Sequence, residues 1–351
     1  MNKRKEGLDL LRLICAFWVI SAHKPFPGTV GMVLAVFARM IVPIFLMITG
    51  FFSLSKVSNG NDGRPVFAIR GGYAGLVKPL KLLFLSNGLY LVIGICDHLA
   101  DGTVQEYLQD VFSWEKIRDM LIFNKSPFAY HLWYLFALVY ALAFVITMDK
   151  LGLRKVLYVL TPFLIAADFI FGRYSKFILG RYFPVAYTRN WLIFVTPNLC
   201  LGMMLKEYNI VERMRKHRTA IGLAALLFMA GSVFEYKLFK DMLRSGTRAN
   251  YVCAVVGSIL LFIWFAQIGE FRSWLLSKLS WLGREASAGI YVIHLFFMDH
   301  LKPLMKQLGL SRVYKNYAPL IIFVLSAITV CLYNAVKNYI KSRSKPSESN
   351  S

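Results

Sequence analysis

The sequence is poor in charge, in acidic residues and in cysteine. Only 17% of its 351 residues are charged and 57% are hydrophobic, far from the balance of a soluble domain, where about 25% are charged. Together with a positive mean hydropathy, this excludes an ordinary soluble globular chain and indicates a polytopic membrane protein. Asp and Glu number 19 against 41 Lys and Arg, a formal net charge of +22. In a soluble chain that excess would suggest nucleic acid. Here the basic residues are dispersed over many short loops, and no basic helix or aromatic-basic platform stands out. They read as topology signals and contacts for anionic headgroups of the lipid bilayer, and nucleic acid is not expected as a partner. The five cysteines, Cys15, Cys96, Cys200, Cys253 and Cys331, lie mostly inside apolar segments at wide spacings, without a metal, redox or disulfide pattern. There is no Gly-rich phosphate loop and no His/Cys/carboxylate cluster with metal spacing, so no nucleotide-fold cofactor site and no metal are expected. Residues 10–22 imitate the core of a signal peptide, but no small-residue cleavage site follows, so this segment is expected to stay in the mature protein.

What is abundant is apolar length. Aromatics make up 15% of the chain, and many fall near the ends of apolar runs, where amphipathic rings sit in a bilayer. The runs predict an all-α bundle of about ten transmembrane helices, at 8–23, 30–54, 76–95, 132–148, 156–171, 190–205, 220–239, 251–268, 286–301 and 318–339. One transmembrane domain over 1–340 and a polar, disordered cytoplasmic tail over 341–351 are expected. Lys and Arg are commoner in the segments that are cytoplasmic when both termini lie inside, which sets the expected orientation. The bias is moderate, because Arg173, Lys176, Arg181 and the 237–248 loop place basic charge outside. The one acidic connection, 97–130, carries Asp97, Asp101, Glu106, Asp110, Glu115 and Asp119, and its 111–123 stretch has the spacing of a surface-lying helix.

Within the first run, Asp9, Arg12 and His23 need a reason, because ionisable groups at membrane depth are costly and face a protein interior or an aqueous path. Arg12 and His23 are eleven positions apart, so on one helix they point within about 20° of each other with a rise of roughly 16 Å. A charged donor and a titratable ring on one stripe suit a long ligand with an anionic head and a reactive tip. Asp9 precedes Arg12 by one helical turn and is expected to orient it.

The order D-x-x-R, ten residues, then H in the first run, followed by R-x-x-V-P-x-F-x-x-x-T-G-F-F from Arg39 to Phe52, resembles the acyltransferase 3 family. Further likeness lies in Lys78-Pro79, in His131-Leu132-Trp133-Tyr134, in Arg189-Asn190 with Pro197 and Gly202, and in Ile290-Tyr291-Val292-Ile293-His294. The resemblance covers nearly the whole chain, and its ten spans agree with the count above. It implies an integral membrane enzyme of the cell membrane that takes an acyl group, usually acetyl, from acyl-CoA on the cytoplasmic side. The group passes to a hydroxyl of a cell-envelope glycan or a related lipid-linked or small acceptor, commonly outside. The family's histidine and arginine of the first span fall on His23 and Arg12. Many members carry an extra soluble domain after the spans; this chain, which stops soon after the last run, is expected to take its acceptor with membrane-embedded groups and loops.

Chemistry agrees, because a hydroxyl is a poor nucleophile until a positioned base takes its proton, and imidazole is suited to that near neutral pH. His23 is the candidate base, with a structural helix-end histidine as the alternative. Arg12 would hold CoA phosphate or the pantetheine arm, against the alternative of a snorkelling arginine paired with Asp9. Arg39, well inside the second run, is a candidate for the donor or its developing charge, and Pro43 and Gly50 can loosen that helix or pack it against a neighbour. Arg70, Lys78 and Lys81 are candidates for the adenosine phosphates of acetyl-CoA; positive-inside anchoring explains them equally. Glu235 and His294 would support His23 or bind the acceptor, against plain interhelical polar contacts. Arg189, Asn190 and Trp133 complete the acceptor candidates, with an interfacial belt role as the alternative for Trp133. Two rival readings are a transporter of a polar envelope precursor, such as a polysaccharide or amino acid, and a sensor or scaffold without turnover.

Overall fold

A computed structural model describes residues 5–59, 63, 65–243 and 250–343, without the side chains of 241–243. The basic start at Lys3 and Arg4, the 244–249 part of the expected outer loop and the tail from 344 lie outside the described residues. In chain order, α1 (Glu6–His23) turns through Pro25 and Pro27 into α2 (Gly28–Phe37), a 3-10 turn (Ala38–Met40) and α3 (Ile41–Ser53). A hairpin of β1 (Leu54–Asn59) and β2 (Pro65–Ile69) leads through a 3-10 turn (Gly72–Leu76) to α4 (Val77–Ala100). Two short helices, α5 (Val104–Val111) and α6 (Trp114–Phe123), precede α7 (Trp133–Lys150) and α8 (Arg154–Phe171). Next come α9 (Ser175–Leu179), a π-helical turn (Trp191–Val195), α10 (Thr196–Glu207), α11 (Ile210–Arg213), α12 (Arg218–Leu243) and α13 (Val252–Ala266). Two long helices, α14 (Trp274–Gln307) and α15 (Ser311–Arg343), follow.

The protein is a helical membrane protein, and four features bear on the sequence expectation. Among the described residues five stretches are long and apolar enough to cross a membrane: Gly28–Ser53, Gly72–Ala100, Tyr130–Lys150, Arg215–Lys240 and Ser311–Arg343. Helix α13 is apolar but shorter. The other expected spans fall on α1, α8, α10 and α14. Three charged residues lie in α1 (Glu6, Asp9, Arg12) and three in α8 (Arg154, Lys155, Asp168), while α10 is short and the start of α14 carries Lys278, Arg284 and Glu285. Secondly, β1 and β2 pair antiparallel, with Leu54 opposite Ile69 and an irregularity between Lys56 and Ser58, a small hairpin within an otherwise all-α fold. Thirdly, most of the expected 270–284 loop is the first part of α14, and Lys341–Arg343 continue α15 instead of opening a tail. Fourthly, the irregular stretch of the second span is the 3-10 turn at Ala38–Met40, upstream of Pro43. Pro43 sits in the first turn of α3, where its missing N–H costs little.

The chain folds as two compact units, one of residues 1–41 with 268–351 and one of residues 42–267. In the first, α1 packs on α14 and α15 through Leu13, Ala16, Ile20, Ala286, Ile290, Ala318 and Ile322. Lipid is as apolar as leucine, so close packing of small residues holds such helices together better than burial alone. Gly283 is where α14 meets the α1 backbone: a Cβ there would collide with the Asp9 carbonyl. Glu6, 3% exposed, ties the start of α1 to the approach to α14 by accepting the Phe271 N–H at 2.8 Å and the Ser277 hydroxyl at 3.2 Å.

In the second unit α3 and α10 cross with their backbones almost touching. A Cβ on Gly50 would meet the Leu199 carbonyl, and one on Gly202 would meet the Met47 carbonyl. The packing role weighed for Gly50 is therefore the one it fills. Leu46, Ala137, Ala141, Phe194 and Leu199 close the core around this crossing. At the hairpin, Arg154 joins Asp149 (2.5 Å) and Glu207 (3.2 Å) and donates to the Phe67 carbonyl at 2.9 Å. Asp149 accepts the Ile69 N–H at 3.2 Å, and Tyr158 donates to Glu207 at 2.7 Å. This network clamps β2 onto the ends of α7, α8 and α10.

Candidate functional site

Helix α1 runs unbroken from Glu6 to His23, so Arg12 and His23 keep the rise of roughly 16 Å and the angular offset of about 20° that a regular helix gives them. Arg12 donates to Asp9 at 2.8 Å, the one-turn pairing expected of an i, i+3 pair. Asp9 is buried and Arg12 is about a quarter exposed. His23 lies half-buried in the last turn of α1, where carbonyl ends favour positive charge. Beside it is His294 of α14, fully buried, with ring centroids 5.4 Å apart and planes 33° from parallel. The Nδ1 of His294 lies 2.7 Å from the Tyr291 carbonyl. A carbonyl oxygen only accepts, so Nδ1 carries the proton, and in the neutral ring Nε2 holds a lone pair. Next to this pair, Lys24 Nζ stands 5.0 Å over the Tyr314 ring, and the Tyr314 hydroxyl donates to the Met298 carbonyl at 3.2 Å. Arg39 belongs to the same unit, half-buried in the turn that joins α2 to α3.

The remaining predicted residues lie in the other unit. Glu235 of α12, 8% exposed, accepts the backbone N–H groups of Val252 at 3.0 Å and Cys253 at 2.9 Å, and the Tyr174 hydroxyl. Its carboxylate thus caps the N-terminus of α13, where negative charge is favoured. Arg189 stacks its guanidinium 4.1 Å above the ring of Trp133, so two acceptor candidates meet in one cation–π contact. Asn190 caps the π-helical turn: Oδ1 accepts from Leu192 and Ile193, each at 2.9 Å, and Nδ2 donates to the Tyr187 carbonyl at 2.7 Å. Such turns recur at functional sites. Arg70 ends the hairpin, and Lys78 and Lys81 lie one turn apart at the start of α4; all three are exposed.

Two polar clusters escape a reading of the sequence alone. Asp168, 6% exposed in α8, accepts from Asn250 at 2.8 Å, close in sequence to buried Arg173, whose guanidinium lies 4.5 Å from the Tyr251 ring. An acidic residue inside the apolar 156–171 run was the available signal for it. Asn87 of α4 accepts from Ser126 at 2.8 Å, and Ser126 in turn accepts the Phe128 and Ala129 N–H groups. Among the described residues no group of three or more His, Cys, Asp or Glu side chains could hold a metal ion.

The model of a family described as an acyltransferase domain matches residues 5–335. Among curated proteins, the chain is similar to an amino-acid racemase of Enterococcus faecalis, 24% identical over 287 residues that cover 75% of this chain and 38% of that protein. It is also similar to a serine/alanine racemase of Enterococcus gallinarum, 21% identical over 352 residues, covering 94% of this chain and 46% of the relative. The chain thus spans less than half the length of either relative. No solved structure matches.

Proposed function

We propose, on the premise that this chain belongs to the acyltransferase 3 family, that it moves an acetyl group from acetyl-CoA to a hydroxyl of a cell-envelope glycan or a related lipid-linked or small acceptor. The observation that carries the reading is the position of His23, at the end of a helix that also presents Arg12 and against the buried ring of His294. In this mechanism a ring nitrogen of His23 takes the proton of the acceptor hydroxyl as its oxygen attacks the thioester carbonyl. The tetrahedral oxyanion collapses, the carbon–sulfur bond breaks, and the thiolate of CoA takes up the proton that His23 holds, leaving an ester and free CoA. Arg12, fixed by Asp9, holds donor phosphate or the pantetheine arm, and Arg39 steadies the donor or its developing charge. The exposed Arg70, Lys78 and Lys81 attract the adenosine phosphates. Trp133, Arg189, Asn190 and Glu235 are the groups offered to the acceptor, while His294 supports His23. Both termini face the cytoplasm in this scheme, and the bilayer is that of the cell membrane. The thioester brings the acyl group already activated, so the scheme uses no metal.

A second reading rests on the two curated relatives, which are longer proteins named as racemases of amino acids. In it the unit carries an amino acid across the bilayer without consuming a thioester. Purified protein given acetyl-CoA together with L-serine or a soluble envelope glycan separates the two. Acceptor-dependent appearance of free thiol supports acyl transfer. Serine uptake into proteoliposomes with no thiol release contradicts it.

A further inference from the structure

The proposed reaction leaves open how His23 keeps one nitrogen unprotonated and aimed at its substrate. A neutral imidazole exchanges between two tautomers, only one of which serves as base at a given place. The other nitrogen must be held by an acceptor, and the structure has one beside it. The Tyr291 carbonyl, 2.7 Å from Nδ1, fixes the proton of His294 on that nitrogen. What His294 then offers from Nε2 is a lone pair, on a fully buried ring whose centroid is 5.4 Å from that of His23. The packing of α1 on α14 through Ala16, Ile20, Ala286 and Ile290 limits how far the two rings can separate. Hydrogen bonds that serve catalysis are commonly long before substrate arrives and tighten in the reacting complex.

We infer that His294 is a positioning residue for His23: its Nε2 lone pair accepts the N–H of the His23 ring and so presents the second His23 nitrogen, unprotonated, to the acceptor hydroxyl. His294 touches neither donor nor acceptor in this arrangement. It does for the base what a carboxylate does in a hydrolytic triad, but as an uncharged group, which a fully buried position between helices tolerates without an ion partner. The inference rests on the acyl-transfer reading of His23.

Two substitutions and two readouts test it. His294→Asn keeps an N–H for the Tyr291 carbonyl but is too short to replace Nε2; His294→Gln restores an acceptor at about the distance of Nε2. With acetyl-CoA as donor and L-serine or a soluble envelope glycan as acceptor, His294→Asn is expected to lower kcat at least ~100-fold, the low end of a lost acid–base contribution. Both KM values should change by less than about twofold, as when an interaction is made only in the transition state. His294→Gln should recover kcat to within about tenfold of the parent. The second readout needs no substrate. In the ¹⁵N spectrum of histidine-labelled protein, His23 should show one protonated and one unprotonated nitrogen in the parent and in His294→Gln, and averaged tautomers in His294→Asn. Unchanged kcat and an unchanged His23 spectrum in His294→Asn overturn the inference, as does a rise confined to the acceptor KM, which would make His294 an acceptor contact. If His23→Ala itself retains turnover, the acyl-transfer reading of His23 falls first. Loss of turnover in His23→Ala with full turnover in His294→Asn sinks this inference alone.

Discussion

Alanine at Gly50 should loosen the α3–α10 crossing, and its cost can be worked from the two helix backbones. The new methyl would collide with the Leu199 carbonyl, and one at Gly202 with the Met47 carbonyl. Both obstacles are backbone atoms inside helices, so neither can rotate aside and the helices must move apart. Overpacking of this kind costs about 1–3 kcal/mol, and collision with backbone argues for the upper end. Alanine returns roughly 1 kcal/mol of helix propensity over glycine, which leaves a net loss of about 2 kcal/mol. For a unit of some 150–250 residues that is a fall in melting temperature of about 4–8 °C. Gly88 provides the control: it is exposed in α4, and nothing lies within 4 Å of a Cβ placed there. Gly88→Ala should be neutral or slightly stabilising. Because one separation of the helices relieves both clashes, the Gly50→Ala, Gly202→Ala double variant should cost less than the two singles added, with a coupling of about 0.5–3 kcal/mol. Thermal unfolding in detergent, followed by tryptophan fluorescence, reads all four variants. If Gly50→Ala melts with Gly88→Ala, the close crossing is wrong.

Arg154→Ala strands Asp149 and Glu207 and removes a donor to Phe67, so it should destabilise by about 3–5 kcal/mol. Limited proteolysis should then cut within 54–69 faster than in the parent, and an unchanged rate contradicts the clamp. Glu235→Gln removes the negative charge that faces the first N–H groups of α13, at an expected cost of about 1–3 kcal/mol. Faster hydrogen exchange at those amides is the check. Lys125, and after it Arg118, hold the Asp119 carboxyl below its ordinary value of 3.8. A depressed carboxyl contributes above its unfolded value and loses that contribution as pH falls through its folded one. Exchange protection at the end of α6 should therefore drop below about pH 4 in the parent but not in Asp119→Asn; a parent profile that stays flat refutes the pairing.

Much of the helical architecture was legible because apolar runs are local signals. The Asp9–Arg12 pair could be read for the same reason, as one helical turn brings the two together. The hairpin could not, since its stretch is rich in Gly, Asn, Ser and Asp and its pairing of Leu54 with Ile69 is not written in either segment alone. The start of α14 was hidden by Lys278, Arg284 and Glu285, which break an apolar run without breaking a helix. The π-helical turn has a clear cause in retrospect. Pro197 has no N–H for the Ile193 carbonyl, and the Asn190 side chain takes the N–H groups of Leu192 and Ile193 instead. At the candidate site, the types and spacing of Arg12 and His23 were visible. The adjacency of His294 was not, because it comes from two helices more than 270 positions apart in sequence packing side by side. Glu235 stood out as a charge in an apolar run, whereas its hold on α13 required the fold.

The central claim is that the His23 imidazole drives acyl transfer. Free thiol released from saturating acetyl-CoA should therefore be compared between the parent and His23→Ala, both purified and with matching melting temperatures. The account predicts that acceptor-dependent release falls to the level of a protein-free control in His23→Ala. Release at the parent rate from a folded His23→Ala protein would contradict it.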